Sequence, residues 1–181
     1  MNVLATALPG VLILEPRLFA DARGFFMESY NKRVFESAAG IKDDFVQDNH
    51  SRSVKGTLRG LHYQIHQPQG KLVRAIRGRI WDVALDVRRR SPTFGKSVGV
   101  ELSEDNKRML WIPVGFAHGF LVTADIAEVI YKTTDFYAPQ HERAVVWNDP
   151  DAAIDWPLDG EPLLSDRDAT APRLRDADLF D

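Results

Sequence analysis

Two short stretches of this chain carry side chains that could move a proton beside a fixed positive charge. One is Leu58-Arg59-Gly60-Leu61-His62-Tyr63-Gln64, closely followed by Lys71, and the other is Pro113-Val114-Gly115-Phe116-Ala117-His118-Gly119-Phe120. They set a guanidinium, an ammonium and a pair of imidazoles among apolar runs of β type. Histidine titrates nearest neutrality and suits acid–base work. A buried group of so many polar side chains also needs a ligand, water or partners to satisfy it. The expectation is an enclosed pocket with a base and fixed positive charge.

Each residue also has a plainer reading. His62 alone would read as a satisfied core histidine, and Arg59, Tyr63, Gln64 and Lys71 nearby move it toward function. Strict alternation puts Arg59 and His62 on opposite faces, so both reach one pocket only if Gly60 bulges or the strand ends there. Lysine at a strand start is ordinarily solvated, and the case for Lys71 rests on its closeness to His62. His118 sits in a tight turn running into Gly119–Val122, where a barrel mouth would close. Tyr131 shares a face with Val129 and reads as an ordinary inward aromatic. Asp168, in Leu163-Leu164-Ser165-Asp166-Arg167-Asp168, reads as tail charge.

Other chemistries fit less well. The chain has 5 histidines, His50, His62, His66, His118 and His141. A barrel metal site of the usual kind has histidines one residue apart, a glutamate shortly after and a further histidine later. His62 and His66 lack that spacing, and Lys71 would repel a cation, so no metal is expected. Gly-rich phosphate loops and Ser-His-Asp signatures are absent. A phosphorylated ligand would therefore fall to arginines, with Arg17, Arg23, Arg59 and Arg74 available for forked contacts.

The elements that must position these residues are mostly strands. Val11–Leu14, Phe25–Tyr30, Phe45–His50, Thr57–Tyr63, Lys71–Ile76, Arg79–Val87, Ser97–Leu102, Arg108–Ile112, Gly119–Val122 and Glu128–Thr133 are rich in Val, Ile, Phe, Trp and Tyr and punctuated by Gly, Pro, Asp and Asn. That spacing favours a sandwich or barrel over alternating βα units. In Ile80–Val87, Trp81, Val83, Leu85 and Val87 share one face and Asp82 and Asp86 the other. Gly78 reads as a hairpin turn. One helix is expected over Asn31–Ala39, with Asn31 as N-cap and Gly40 as its stop. The stretch Ser165–Asp181 turns charged, and its docking is left open.

Composition sets the outer bounds. The 181 residues suit a single domain spanning 1–181, with 44% apolar and 27% charged residues as in ordinary globular proteins. A net charge of −3 does not suggest nucleic acid as a partner. There is no cysteine, so stability must come from packing. No apolar run is long enough to cross a bilayer and Met1–Pro9 lacks a signal-peptide pattern, so a cytoplasmic protein without a membrane partner is expected.

The segments Asp21-x-Arg23-Gly24-Phe25-Phe26-x-Glu28, Phe45-Val46-Gln47-Asp48-Asn49-His50-Ser51, those of His62 and Lys71, Pro113-x-Gly115-Phe116-Ala117-His118-Gly119-Phe120, Tyr131-Lys132, Tyr137-x-Pro139, Trp147-Asn148-Asp149-Pro150 and Leu164-Ser165-x-Arg167-Asp168 run through nearly the whole chain in this order. On them the chain resembles the dTDP-4-dehydrorhamnose 3,5-epimerases, metal-free members of the cupin superfamily acting in dTDP-L-rhamnose synthesis. The resemblance implies an all-β jelly-roll barrel of cupin type with a few short peripheral helices, a homodimer and no cofactor. It further implies His62 as base paired with Asp168, Tyr131 as proton donor and Lys71 beside the substrate ketone. Arg23, Phe26, Glu28, Gln47, Asn49, Arg59, His118, Glu142 and Arg167 fall on substrate-contact positions, and Tyr137 on the one that stacks on thymine. Arg167 stands where some relatives have lysine, which keeps the charge and changes the hydrogen-bond fork.

These residue types suit the implied reaction. Inverting a carbon beside a ketone needs a proton removed and one returned to the other face, with the carbonyl as electron sink and no redox cofactor. A histidine held by a carboxylate can take the proton, a cation can hold the enolate, and a neutral phenol can return the proton. Three alternatives stand beside this one: an epimerase of C3 or C5 alone, a metal-dependent cupin enzyme using His62, His66 and His118, and a noncatalytic sugar-nucleotide-binding module.

Overall fold

A computed structural model describes residues 1–181. The strands are β1 (Asn2–Ala5), β2 (Leu12–Glu15), β3 (Leu18–Asp21), β4 (Gly24–Met27), β5 (Gln47–Val54), β6 (Leu58–Gln64), β7 (Lys71–Arg77), β8 (Arg79–Asp86), β9 (Ser97–Ser103), β10 (Met109–Ile112), β11 (Phe116–Val122), β12 (Ile126–Thr133) and β13 (Glu142–Ala144). The helices are α1 (Lys32–Ala39) and α2 (Asp166–Ala169). A six-stranded sheet in the order β1-β2-β10-β7-β12-β5 faces a five-stranded sheet in the order β13-β6-β11-β8-β9, and β3 and β4 form a separate hairpin. This is the expected jelly-roll barrel. No helix is long and apolar enough to cross a membrane.

Period-two alternation builds apolar layers inside and outside the barrel. Between the sheets, Val73 and Ala75 of β7, Ile80 and Ala84 of β8, Leu110 and Ile112 of β10, Phe116, Phe120 and Val122 of β11, and Ala127 and Val129 of β12 form the inner core. Outside the six-stranded sheet, Leu14, Leu72, Met109 and Trp111 are covered by Phe35 of α1 and by Ile41. Outside the five-stranded sheet, Leu58, Leu61, Val83, Leu85, Ala117 and Leu121 are covered by Val145, Trp156, Leu174 and Leu179. The C-terminal segment is therefore docked. The helix expectation holds in detail, since the Asn31 side chain accepts from Val34 N–H and Gly40 closes the helix at φ 70°.

Several boundaries differ from expectation, each for a physical reason. The expected Phe45–His50 strand runs instead from Gln47 to Val54, because Phe45 belongs to the outer layer. Its inward row Gln47, Asn49 and Ser51 lines a cavity and needs no apolar stripe. The strand expected to reach Tyr30 ends at Met27, and β1, β3, β13 and α2 are short elements without a strong pattern of their own. On β8 both faces are buried: Val83 and Leu85 lie under the C-terminal segment, while Asp82 points between the sheets with no exposure.

Candidate active site

The site depends on one irregularity in β6. His118 on β11 pairs with His62 and Phe120 pairs with Arg59, so Gly60 and Leu61 together stand opposite Gly119. This bulge resets the alternation. Leu58 and Leu61 both enter the outer layer, and Arg59 and His62 both line the cavity. Gly60 has φ +113°, and a Cβ there would lie 2.6 Å from both Gly119 Cα and His118 O, so only glycine fits.

The cavity has a volume of about 630 Å³ and opens between the sheets at the end away from the inner core. From the five-stranded sheet come Arg59, His62, Gln64, His118 and Glu142, and from the six-stranded sheet Gln47, Asn49, Ser51, Lys71 and Tyr131. Register explains the second set: Tyr131 lies across from Val73 and Asn49, and Thr133 from Lys71 and Gln47, so the inward side chains form successive rows.

His62 Nε2 lies 2.6 Å from Asp168 Oδ1. Asp168 is 4% exposed and sits on α2, which Ser165 caps by accepting from Asp168 N–H at 3.2 Å. The Ser165 hydroxyl donates in return to Asp168 Oδ2 at 2.9 Å. Backbone bonds from Leu58 N–H to Leu163 O and from Leu163 N–H to Gly56 O carry this segment past β6. Burial pushes the Asp168 carboxyl up, and hydrogen bonds from His62, Ser165 and the Gly60 backbone outweigh it, leaving the carboxyl below its ordinary value.

Lys71 Nζ donates across the barrel to His62 O at 3.2 Å. Burial pushes its ammonium down to about 8, opposed by the Glu142 and Asp82 carboxylates. His118 Nε2 lies 2.7 Å from Asp82 Oδ1 in the barrel interior. Burial, with the nearby Lys71 and His62 charges, holds the His118 imidazole below its ordinary value against the opposing pull of Asp82. The His118 ring centroid is 6.5 Å from that of Tyr131. Burial first, and then the Glu142 charge, push the Tyr131 phenol up, so it stays protonated at neutral pH.

At the outer end, Tyr137 is exposed and its hydroxyl donates to Glu142 Oε2 at 2.7 Å, the same oxygen that accepts from Arg167 Nη1 at 2.7 Å. Tyr137 N–H donates to Gln47 Oε1 at 3.0 Å, and Gln47 Nε2 donates to Asn49 Oδ1 at 2.9 Å. Arg59 Nε donates to Ser53 Oγ at 3.1 Å.

The expected residues Arg23, Phe26 and Glu28 do not line this cavity within the chain. They belong to the β3–β4 hairpin and the turn after it, with Arg23 paired to Asp21 and Glu28 accepting from Asn31. Of the arginines considered for a phosphate, only Arg59 lines the cavity; Arg17 lies over the Phe19 ring, and Arg74 faces outward beside the hairpin. His66 packs against His141 with ring centroids 5.1 Å apart, and no three His, Asp or Glu side chains are grouped to hold a metal. Sequence reasoning missed Asp82 and Ser165 as partners of the histidine and carboxylate. Ser165-x-x-Asp168 is a capping-box spacing that could have flagged α2.

A family model described as dTDP-4-dehydrorhamnose 3,5-epimerase matches residues 5–176. The dTDP-4-dehydrorhamnose 3,5-epimerase of Pseudomonas aeruginosa is 61% identical over 180 residues, covering 99% of each chain. The dTDP-6-deoxy-D-glucose-3,5-epimerase of Legionella pneumophila, solved in complex with dTDP-4-keto-L-rhamnose, superposes with a TM-score of 0.96 at 51% identity, covering 98% of this chain and 94% of that one. A 3'-monoepimerase from Streptomyces bikiniensis, solved with dTDP-quinovose, gives 0.88 at 38% identity, covering 94% and 86%. With a bulged His62 strand, a docked Asp168 and a family model matched from residue 5 to residue 176, this chain belongs to the dTDP-4-dehydrorhamnose 3,5-epimerase family.

Proposed function

We propose that the protein inverts C3 and C5 of dTDP-4-dehydro-6-deoxy-D-glucose to give dTDP-4-dehydro-L-rhamnose, a step of dTDP-L-rhamnose formation. The supporting observation is that His62, backed by Asp168, shares one cavity with Lys71 and Tyr131, the latter two from the facing sheet. Each inversion begins with loss of the proton beside the C4 ketone. The Nε2 of His62 is engaged by Asp168, which leaves Nδ1 to take that proton while the carboxylate steadies the imidazolium. The C–H electron pair moves into the carbonyl, forming an enolate whose oxygen the Lys71 ammonium holds. The pair then returns to carbon as the Tyr131 phenol delivers a proton from the opposite side, so no redox cofactor is consumed.

The remaining polar side chains suit the nucleotide. Arg59, Gln47 and Asn49 offer donors for the diphosphate, Tyr137 a ring for thymine, and Glu142, Arg167 and His118 fix the neighbouring wall. Binding energy from this distant end serves to orient the sugar.

Arg23, Phe26 and Glu28 enter such a site only from a second copy, and the hairpin that carries them is suited to that. It leaves Leu18, Phe19, Phe25 and Phe26 between 44% and 68% exposed, an apolar surface that a homodimer would cover.

The test is proton-to-deuterium exchange in heavy water with purified protein. Exchange at both C3 and C5, with inverted product by NMR, is expected; failure of both carbons to exchange rejects the reading. A single inversion is the second reading, favoured by the likeness to the Streptomyces bikiniensis 3'-monoepimerase. Exchange at one carbon only would select it.

A further inference from the structure

We propose that Gln64 is a positioning residue that ties Tyr137, the outer wall of the cavity, to the strand carrying His62. Gln64 lies two residues after His62 on the inward face of β6 and is 3% exposed. Its amide bonds only to backbone. Nε2 donates to Gln67 O at 2.7 Å and to Phe136 O at 3.2 Å, and Oε1 accepts from Ala138 N–H at 2.8 Å. Two of these bonds grip the residues on either side of Tyr137. The loop they hold joins β12, which bears Tyr131, to β13, whose Glu142 lies directly across from Gln64 and accepts from the Tyr137 hydroxyl.

A planar side chain with a paired donor and acceptor matches this role in a way that an apolar residue of similar volume cannot, because the Phe136 carbonyl and the Ala138 N–H point opposite polarities at it. The spacing between the base and the nucleotide wall is then set by one rigid strand. Loss of the amide leaves His62 in place and frees Tyr137 to move, so binding suffers before chemistry does. This inference rests on the assignment of Tyr137 to the thymine ring.

The experiment is a double-mutant cycle of Gln64→Met and Tyr137→Ala, with Gln64→Glu as a second variant that keeps the acceptor and loses both donations. Affinity for dTDP is measured by calorimetry, KM and kcat by product NMR, and folding by thermal denaturation. In the otherwise wild-type chain, Gln64→Met is expected to raise KM and the dTDP Kd about tenfold with kcat within about twofold, and Gln64→Glu to act in the same direction. In the Tyr137→Ala background the same change is expected to alter Kd by less than about twofold. Equal effects in both backgrounds, or a fall in kcat without a rise in Kd, would overturn the positioning role. If Tyr137→Ala itself leaves the dTDP Kd at the wild-type value, the thymine assignment falls, and the inference falls with it whatever Gln64 does.

Discussion

Replacing Lys71 by methionine should make the protein more stable and nearly inactive. Lys71 is 8% exposed, and burial pushes its ammonium from 10.5 down to about 8. At about 1.4 kcal/mol per tenfold change in proton affinity, keeping that charge in the barrel costs roughly 3 kcal/mol of folding free energy at neutral pH. Methionine removes this cost and also the bond to His62 O, worth about 1 kcal/mol. The net gain of roughly 2 kcal/mol should raise Tm by about 4–8 °C for a domain of this size. The sign with pH follows from the lowered value. Below about 8 both folded and unfolded chains hold the proton and the penalty is complete; between about 8 and 10.5 the folded chain sheds it while the unfolded chain keeps it, so wild-type stability rises with pH toward the variant's.

Activity should move the other way. On the proposed role of Lys71, losing this preorganised group on the enolate raises the barrier by about 2.7–4 kcal/mol, a fall of roughly 10²–10³ in exchange rate. In the wild type, kcat/KM should decline on the alkaline side with a midpoint near 8, where Lys71 loses its charge. Calorimetry at pH 7 and pH 10, with deuterium exchange at pH 7, checks both halves. A methionine variant less stable than wild type at pH 7, or a stability gap that does not narrow as pH rises, would refute the reasoning.

Ser165→Ala removes the hydroxyl that donates to Asp168 Oδ2 and caps α2, and a charge-assisted bond of about 1.5–3 kcal/mol should appear as at least a tenfold fall in kcat with KM little changed, read by steady-state kinetics. Tyr131→Phe should keep deuterium wash-in by His62 while inverted product falls by about 10²–10⁴, so NMR of the recovered sugar should show label without inversion. Gly60→Ala places a Cβ 2.6 Å from Gly119 Cα and His118 O in a left-handed backbone. It should cost at least about 1–3 kcal/mol in thermal denaturation, and it should lower activity further by displacing Arg59 and His62.

How much of this was legible depended on where each signal lay. The central strands wrote themselves as alternating apolar residues, and Asn31 and Gly40 marked both ends of α1. The need for a bulge at Gly60 was also readable, since Arg59 and His62 could not otherwise share a face, and the register meets it. Asp168 was opaque. Its local surroundings are charged, and it is buried because the segment from Leu163 to Asp168 is docked on β6 through the Leu58–Leu163 backbone bond and the His62 contact, both long-range in sequence, which no local period records. Asp82 was equally hidden, because an aspartate opposite an apolar face ordinarily marks the solvent side, and here both sides of β8 are covered. The place of Arg23, Phe26 and Glu28 came from family likeness alone, and one chain does not bring them to the cavity.

The same strands that make the inner core also make the polar mouth. Along β7 the inward row passes from Ala75 and Val73 to Lys71, and along β12 from Ala127 and Val129 to Tyr131 and Thr133. The antiparallel pairing brings both polar ends to the same end of the barrel. The apolar portion, with apolar layers outside each sheet, holds these strands firmly enough for the mouth to carry a buried ammonium and paired carboxylates without repacking. On the proposed mechanism, a base fixed on one sheet and an acid fixed on the other can address opposite faces of a sugar only if the sheets do not slide. Stereochemical inversion in this protein is accordingly a property of the apolar floor as well as of the side chains above it, and substitutions in that floor should relax the stereochemical outcome before they abolish exchange.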